Sequence, residues 1–487
     1  MTQHASDGAA PMVDGDGGGD RAQLGAVGVV AGSRSIVLGL LLAAVAFFFV
    51  DDPARAASSA LFVLAGCWWI TEALHPAQTA LVVIALAPVL GACTAKQAFG
   101  ALGNPILFLF VGSFMLAEAM RGHGLGDRLA RVMTGRIRSE VGALVTTSLA
   151  AFLLSMWISN AAATAIVLPI ALAVAKDAAP RFRAAIVLGV AWSASMGGLC
   201  TPVGTPPNLI GVRALAERGV DVSFVGFVAV GGPVGAAMLV AMLVVLVIRF
   251  GVRRAPLTVV MHAHKPWSRG EVAAASAFAF AVVGWVLPGL LLLLEVPGAS
   301  ALRARLPEEV VAVLAAGLLF LWPIQRPGER PRRALGWHEA VHIDWGTVIL
   351  FGAGILLGEL ANSTGLAKIW GASLMEVSGA QTPLAVVTLI VVAAVILSEV
   401  ASNTASATLV VPVGLGLADA TGVSPVMVTM AAVLAASFGF MMPISTAPNA
   451  MAYGTGQVSM RQMVTTGVAF DIVGIVVVIA GVMVLLG

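Results

Sequence analysis

Long apolar runs separated by short polar stretches occupy the chain from residue 35 to its end. A helix needs roughly 20 mostly apolar residues to cross the hydrocarbon core of a bilayer. Eleven runs approach that length: about 35–50, 58–74, 77–93, 105–120, 185–211, 223–248, 271–295, 308–323, 346–361, 424–456 and 464–486. Because backbone groups in lipid must be hydrogen-bonded within the chain, the pattern predicts an all-α polytopic membrane protein with about 11 transmembrane helices.

Two further runs, 141–175 and 382–418, differ because small polar residues lie at their centres. The first centre is Ser-Asn-Ala at 159–161, and the second is Ser-Asn-Thr at 402–404. Each run has room for two short helices but contains no polar loop, so we predict two re-entrant helical hairpins with these residues at their tips. Polar groups at membrane depth need a partner, which indicates a binding site at the tips.

Three blocks of the sequence recur later in the chain at nearly constant spacing. Leu109, Phe110, Glu118, Gly124 and Leu125 match Leu350, Phe351, Glu359, Gly365 and Leu366 at an offset of 241; Ser159, Asn160 and Pro169 match Ser402, Asn403 and Pro412 at 243; and Pro202, Thr205, Pro207 and Asn208 match Pro443, Thr446, Pro448 and Asn449 at 241. We therefore predict two repeats, at 104–250 and 346–487. The prolines of the last block predict a broken helix in each repeat, at 201–208 and 442–449.

Composition and charge agree with a membrane protein. Hydrophobic residues make up 59% of the chain and charged residues 11%, the mean hydropathy is +0.97, and no basic patch indicates nucleic-acid binding. With a cytoplasmic N-terminus, only seven of the 27 Lys and Arg residues fall outside: Arg55, Lys96, Arg213, Arg218, Arg303, Arg305 and Lys368. This distribution predicts a multi-pass protein of the inner (plasma) membrane with its N-terminus in the cytoplasm and its two repeats inverted.

The broken helices carry the candidate chemistry. Free carbonyls and half-helix C-termini suit a cation, whereas half-helix N-termini and hydroxyl groups suit an anion. None of the 27 Lys and Arg residues lies in the middle of an apolar run. An anionic substrate would therefore rely on helix dipoles and on bound cations such as sodium for positive charge.

Several motifs together resemble the divalent anion/sodium symporter family, the transporters of di- and tricarboxylates and sulfate. They are WWITEA at 68–73, NPILFLF at 104–110, the two Ser-Asn hairpin tips, and GTPPN at 204–208 with its partner TAPN at 446–449. The resemblance implies a secondary active transporter of dicarboxylates such as succinate, malate or fumarate, coupled to sodium. It implies no enzyme activity and no cofactor besides the coupling ions.

The resemblance also implies the architecture: a homodimer in the lipid bilayer, in which a transport domain moves as an elevator against a scaffold. Scaffold helices fall at 34–103, and a cytoplasmic loop with further scaffold helices at 251–345. Residues 1–33 are rich in Gly, Ala and Asp and are predicted to form a disordered tail.

Site residues follow from the same resemblance, position by position. The first sodium site would use Ser155, Ser159, Asn160 and Gly204, and the second Ser398, Ala401, Asn403 and Ser445, partly through backbone carbonyls. The substrate would contact Asn160, Ala161, Thr205, Pro206, Asn403, Thr404 and Thr446. Ala161 stands where the family usually has Thr, and the missing hydroxyl removes a hydrogen bond worth about 1 kcal/mol.

Alternative functions accompany this interpretation. Some family members are exchangers that run without sodium, and a similar pocket would accept sulfate, citrate or another anion. A passive channel is an alternative from a second functional class. A third is an intramembrane zinc metalloprotease, because His338, Glu339 and His342 fit the H-E-x-x-H pattern of two zinc ligands and a general base.

Overall fold

The computed structural model describes residues 18–134, 137–257, 266–325 and 331–487, without the side chains of 18–32, 133 and 134. Its helices in the first half are α1 Gly18–Phe48, α2 Pro53–Ile70, α3 Pro76–Val89, α4 Ala95–Gly100, α5 Pro105–His123, α6 Leu125–Thr134, α7 Glu140–Ser155, α8 Asn160–Val174, α9 Pro180–Gly198, α10 Pro206–Ala216 and α11 Phe224–Phe250. Those that follow are α12 Arg269–Leu293, α13 Ala299–Arg305, α14 Glu308–Leu321, α15 Trp337–Ala340, α16 Trp345–Ser363, α17 Leu366–Ser378, α18 Pro383–Val400, α19 Asn403–Thr421, α20 Pro425–Ala435, α21 Ala447–Gly454 and α22 Met460–Leu486. Two short strands, β1 Pro323–Ile324 and β2 Arg332–Arg333, pair antiparallel.

The predicted all-α membrane fold is confirmed. Within the described residues, seven helices are long and apolar enough to cross a membrane: Ala95–His123, Phe224–Phe250, Arg269–Leu293, Trp345–Ser363, Pro383–Val400, Asn403–Thr421 and Met460–Leu486. Shorter apolar helices accompany them, among them Pro76–Val89, Glu140–Ser155 and Asn160–Val174. Most of the predicted apolar runs therefore form one helix or two shorter ones.

The N-terminal boundary differs from the prediction. Helix α1 begins at Gly18, so residues 18–33 are helical, whereas the composition predicts a disordered tail there. The stretch 24–31 is made of Leu, Val, Ala and Gly and continues the apolar run that follows it, which explains the earlier start. Residues 1–17 of the predicted tail lie outside the described part of the chain.

Both predicted hairpins are present as pairs of helices joined by short turns. In the first, α7 and α8 are connected by residues 156–159; in the second, α18 and α19 are connected by Ala401 and Ser402. A serine ends each turn and caps the next helix: Ser159 Oγ accepts the Ala162 amide at 3.2 Å, and Ser402 Oγ accepts the Ala405 amide at 3.3 Å. The capping serine therefore fixes the residue at which the returning helix begins.

Both predicted broken helices are present as well. The first break separates α9 from α10, and the second separates α20 from α21. Each later helix has proline in its first turn, where a missing backbone donor costs nothing. The prolines therefore define where each helix resumes after the break.

The two repeats interlock through the short helices that follow the breaks. Helix α10 of the first repeat packs against α19 and α20 of the second, while α21 of the second packs against α8 and α9 of the first. An aromatic cluster joins the same halves, since Trp192 of α9 stacks on Phe470 of α22 at a centroid distance of 5.5 Å. The hairpins and broken helices therefore form one packed body.

We expect Gly416→Ala to destabilise this body, because α17 and α19 cross in backbone contact. A Cβ atom at Gly416 would overlap the carbonyl oxygen of Ala367. Forced overpacking of this kind costs about 1–3 kcal/mol, so thermal unfolding in detergent should occur at a lower temperature. The control is Gly358→Ala, since a Cβ atom there would meet nothing within 4 Å. Equal unfolding temperatures for the two variants would contradict the close crossing.

Candidate functional site

The same polar contact occurs at the tip of each hairpin. Ser155 Oγ donates to Asn160 Oδ1 at 2.8 Å, and Ser398 Oγ donates to Asn403 Oδ1 at 2.9 Å. Each bond links the last turn of one hairpin helix to the first residue of the next, so it orients the asparagine at the tip. Asn160 and Asn403 lie at the N-terminal ends of α8 and α19, where the helix dipole favours negative charge.

A buried asparagine holds each broken helix open. Asn208 Nδ2 donates to the carbonyl oxygens of Gly198 and Thr201, both at 2.8 Å. Asn449 Nδ2 donates to those of Gly439 and Met442, at 2.6 and 3.0 Å. The pairs correspond at the repeat offset of 241, and both asparagines are fully buried. The predicted repeat includes these asparagines, but the predicted site residues do not.

The first break brings predicted cation ligands to the first hairpin tip. Gly198 faces the tip so closely that a Cβ atom there would lie 2.6 Å from Asn160 Oδ1. A Cβ atom on Gly204 would lie 2.5 Å from the carbonyl oxygen of Gly198. Thr201 Oγ1 donates to the Met156 carbonyl in the hairpin turn at 2.5 Å. Asn160 and Gly204 therefore both lie close to Gly198, and Ser155 is hydrogen-bonded to Asn160.

The second break brings its predicted ligands together in the same way. Gly439 has a φ of 154°, a conformation that side chains disfavour. A Cβ atom there would lie 3.2 Å from Ser445 Cβ, 3.0 Å from Thr446 Cγ2 and 3.4 Å from Asn403 Oδ1. Asn403 Nδ2 also donates to the Ser437 carbonyl at 3.1 Å. Sequence reasoning missed Gly198 and Gly439, whose signal is that two glycines occupy equivalent positions before the breaks.

The remaining predicted substrate contacts lie at the starts of the same helices. Thr205 and Thr446 are the residues before α10 and α21; Thr446 Oγ1 accepts the Asn449 amide at 3.3 Å, whereas the Thr205 hydroxyl makes no capping bond. Thr404 is buried in the first turn of α19. Ala161 and Pro206 are half-buried in the first turns of α8 and α10, and Ala401 is buried just before the second tip.

Hydroxyl, amide and carbonyl groups dominate this region, and basic side chains are missing from it. Residues 155–161, 198–208, 398–404 and 436–449 include neither Lys nor Arg, and Glu399 is their one acid. Four helix N-termini, of α8, α10, α19 and α21, begin here. The arrangement offers oxygen ligands for small cations and helix dipoles for an anion.

The H-E-x-x-H segment has a different environment. Glu339 Oε1 accepts from Arg332 at 2.8 Å, and Glu339 Oε2 accepts the Gly336 amide at 2.8 Å. Burial raises the pKa of Glu339, but these two donors outweigh it and leave the pKa below its ordinary value. A general base needs a pKa near neutrality. Within the described residues, no group of three His, Cys, Asp or Glu side chains could hold a metal ion.

Comparison with protein families shows which family has a sequence like this one. The family model described as the sodium:sulfate symporter transmembrane region matches residues 52–486. The chain belongs to the sodium:sulfate symporter family. The divalent anion/sodium symporter resemblance of the sequence motifs is thereby confirmed. The matched range includes both hairpins and both broken helices of the chain.

Two similar relatives carry the same name. The sodium-dependent dicarboxylate transporter SdcS of Staphylococcus saprophyticus is 31% identical over 482 residues, covering 93% of this chain and 90% of the relative. SdcS of Staphylococcus aureus strain USA300 is 31% identical over 434 residues, covering 85% and 82%. Among solved structures, the YdaH transporter of Alcanivorax borkumensis is similar in fold, with a TM-score of 0.57, 15% identity and coverage of 84% of this chain and 98% of YdaH.

We expect the protein to depend equally on its two bridging asparagines. Asn208→Ala or Asn449→Ala would leave one buried carbonyl unpaired, that of Gly198 or Gly439, which costs about 1–3 kcal/mol. The second carbonyl of each bridge would keep a backbone amide as its partner. Each variant should unfold at a lower temperature in detergent. The control is Asn362→Ala, which removes only a half-buried contact with Arg218 outside both breaks. If either variant were as stable as the control, the asparagine bridges would not hold the breaks.

Proposed function

We propose that this protein is a secondary active transporter that moves dicarboxylates such as succinate, malate or fumarate across the inner membrane, coupled to sodium. The observation that carries the proposal is the repeated pairing of a Ser-Asn hairpin tip with an asparagine-bridged helix break. Support also comes from family membership and from relatives named as sodium-dependent dicarboxylate transporters.

Each break provides the oxygen atoms for one sodium ion. At the first, the donors are the side chains of Ser155 and Asn160 with the backbone of Ser159 and Gly204. At the second, they are the side chains of Ser398, Asn403 and Ser445 with the carbonyl of Ala401. Small hard cations prefer such oxygen ligands, and a broken helix presents carbonyls to them at its C-terminal half.

The substrate lies between the two sodium ions. Its carboxylates face the N-terminal ends of α8, α10, α19 and α21, and accept hydrogen bonds from Asn160, Asn403 and the hydroxyls of Thr205, Thr404 and Thr446. Sodium supplies the positive charge that the segment lacks, so cation and anion bind together. Ala161 and Pro206 form part of the wall of this pocket. The small side chain of Ala161 widens the pocket and so affects which anion fits.

Movement follows an elevator scheme in a homodimer with cytoplasmic N-termini. The moving body contains the two hairpins and the two broken helices. The packing of α10 on α19 and of α21 on α8 supports the proposal that they move together. The helices of residues 34–103 and 251–345 form the scaffold. Because the repeats are inverted, one hairpin opens toward each side of the membrane.

The test is uptake of labelled succinate into proteoliposomes with sodium outside and none inside. We expect accumulation that stops when choline replaces sodium. Asn403→Ala should lose uptake, because its amide contacts both the cation and the substrate in our account. His338→Ala is the matched control and should transport like the unmodified protein, since His338 lies outside both breaks.

Other outcomes would contradict specific parts of the proposal. Uptake only into vesicles preloaded with succinate in sodium-free buffer would make the protein an exchanger. Sodium-driven uptake of sulfate or citrate, but not succinate, would change the substrate class. Unchanged uptake by Asn403→Ala would overturn the site assignment. Loss of both uptake and bound zinc in His338→Ala would support the protease alternative.

A further inference from the structure

Six exposed basic side chains flank the ends of helices in the packed body. Each of them lies in the first turn of a helix or within four residues of a helix end. Long basic side chains at such positions reach the headgroup region when the helix crosses a membrane. We call this set the basic rim; it consists of Arg138 before α7, Lys176 after α8, Arg181 in α9, Arg253 and Arg254 after α11, and Arg461 in α22.

Backbone contacts join the first part of the basic rim. The Leu257 amide donates to the Arg138 carbonyl at 3.1 Å, and the Glu140 amide donates to the Ala255 carbonyl at 3.0 Å. The Arg253 amide donates to Glu140 Oε2 at 3.1 Å. This short antiparallel pairing holds the segment after α11 beside the start of the first hairpin, so the rim residues of both segments share one surface.

The other helix ends join the same surface. A Cβ atom on Gly251, directly after α11, would lie 3.6 Å from Arg181 Nη1. Arg249, in the last turn of α11, donates to Thr465 Oγ1 at 3.4 Å, and that hydroxyl donates to the Arg461 carbonyl at 2.8 Å. The basic rim therefore extends from the first hairpin and α9 to α11 and α22, which pack on each other and on the rest of the body.

The positive charges of the basic rim are not neutralised within the described residues. None of its six side chains forms an ion pair there, whereas Arg128, Arg218 and Arg303 elsewhere each bind a carboxylate at 2.7–2.8 Å. The short segments that carry the rim contain two acids, Glu140 and Asp177. Glu140 is buried against the backbone. The rim therefore presents a net positive charge to its surroundings.

The second repeat shows that the fold does not require basic residues at these helix ends. At the repeat offset of 243, Lys176 corresponds to Asp419 and Arg181 corresponds to Ser424. Residues 379–382, which precede α18 as Arg138 precedes α7, include neither Lys nor Arg. Membrane orientation favours basic residues on the cytoplasmic side, but it does not require them to stay unpaired on one body. The rim therefore indicates an anionic partner.

We propose that the basic rim binds the anionic lipid headgroups of the cytoplasmic leaflet, and that this contact holds the moving body toward the cytoplasm. Clusters of about four to eight basic residues directly beside membrane helices attract anionic lipids. In the elevator scheme, outward movement withdraws the rim from the headgroups, so the attraction opposes that movement. The lipid binding follows from the rim itself, whereas its effect on movement rests on the proposed function.

The first test measures the binding of phosphatidylglycerol to the purified protein in detergent, through the rise in unfolding temperature that a bound lipid causes. Each basic residue near an anionic surface contributes about a fivefold gain in affinity. The triple variant Arg138→Gln, Arg253→Gln and Arg254→Gln should therefore bind at least about fivefold more weakly. The control removes three exposed charges outside the rim and should bind like the unmodified protein; it is Lys96→Gln, Arg305→Gln and Lys368→Gln.

Two comparison ligands define the source of the anion. Phosphatidylcholine with the same acyl chains and inorganic phosphate should each raise the unfolding temperature less than phosphatidylglycerol does. An equal rise with inorganic phosphate would overturn the assignment to a lipid, and an equal phosphatidylglycerol affinity in the triple Gln variant would overturn the rim as its site. A charge-conserving variant separates loss of charge from damage to the fold and should keep the affinity within about twofold; it is Arg138→Lys, Arg253→Lys and Arg254→Lys.

The second test compares the uptake of labelled succinate into phosphatidylcholine vesicles with and without phosphatidylglycerol. The surface charge of the vesicle changes the local sodium and succinate concentrations alike for every variant, so the comparison is between proteins. Stabilising one end position slows the step that leaves it, so phosphatidylglycerol should slow the unmodified protein at least about threefold relative to the triple Gln variant. The same lipid dependence in both proteins would overturn the holding role. Absence of uptake by the unmodified protein in both kinds of vesicle would instead count against the proposed function.

Discussion

Backbone groups released by breaking a helix inside a membrane must find partners within the protein, and this constraint governs the centre of the structure. Asn208 and Asn449 satisfy it with one amide group each, which bridges two carbonyls across the break. The glycines before the breaks allow the hairpin tips to approach the unwound backbone. The grouping of polar residues at the tips and breaks is therefore a consequence of how the breaks are stabilised.

The exchange of short helices between the repeats joins the two breaks into one unit. Helix α21 packs on the first hairpin and α10 on the second, so each half of the site depends on both repeats. Four helix N-termini then begin in a region that contains no basic side chain. In our proposal, dipoles and bound sodium ions replace the lysine or arginine that a soluble protein would use to bind a dicarboxylate.

The sequence predicted the hairpins and breaks well because proline, glycine and Ser-Asn pairs act locally. Pro206 and Pro448 fix the first turns after the breaks, and Ser159 and Ser402 cap the returning hairpin helices. The contact of the Glu399 carboxylate with the backbone amides of Phe440 and Met441 was not predictable in this way, because it depends on how α18 packs against the second break. The sequence also did not predict that α20 ends at Ala435, four residues before Gly439, whereas α9 continues to the equivalent Gly198.

The most direct test of the account is sodium-dependent thermal stabilisation of the purified protein, because a bound ion stabilises the folded state by mass action. The unfolding temperature in sodium would be compared with that in choline for Ser155→Ala, Ser398→Ala and the double variant. Two equivalent sites predict that each single variant loses part of the sodium-dependent shift and that the double variant loses all of it. A full shift in the double variant would contradict the claim that the two breaks are the sodium sites.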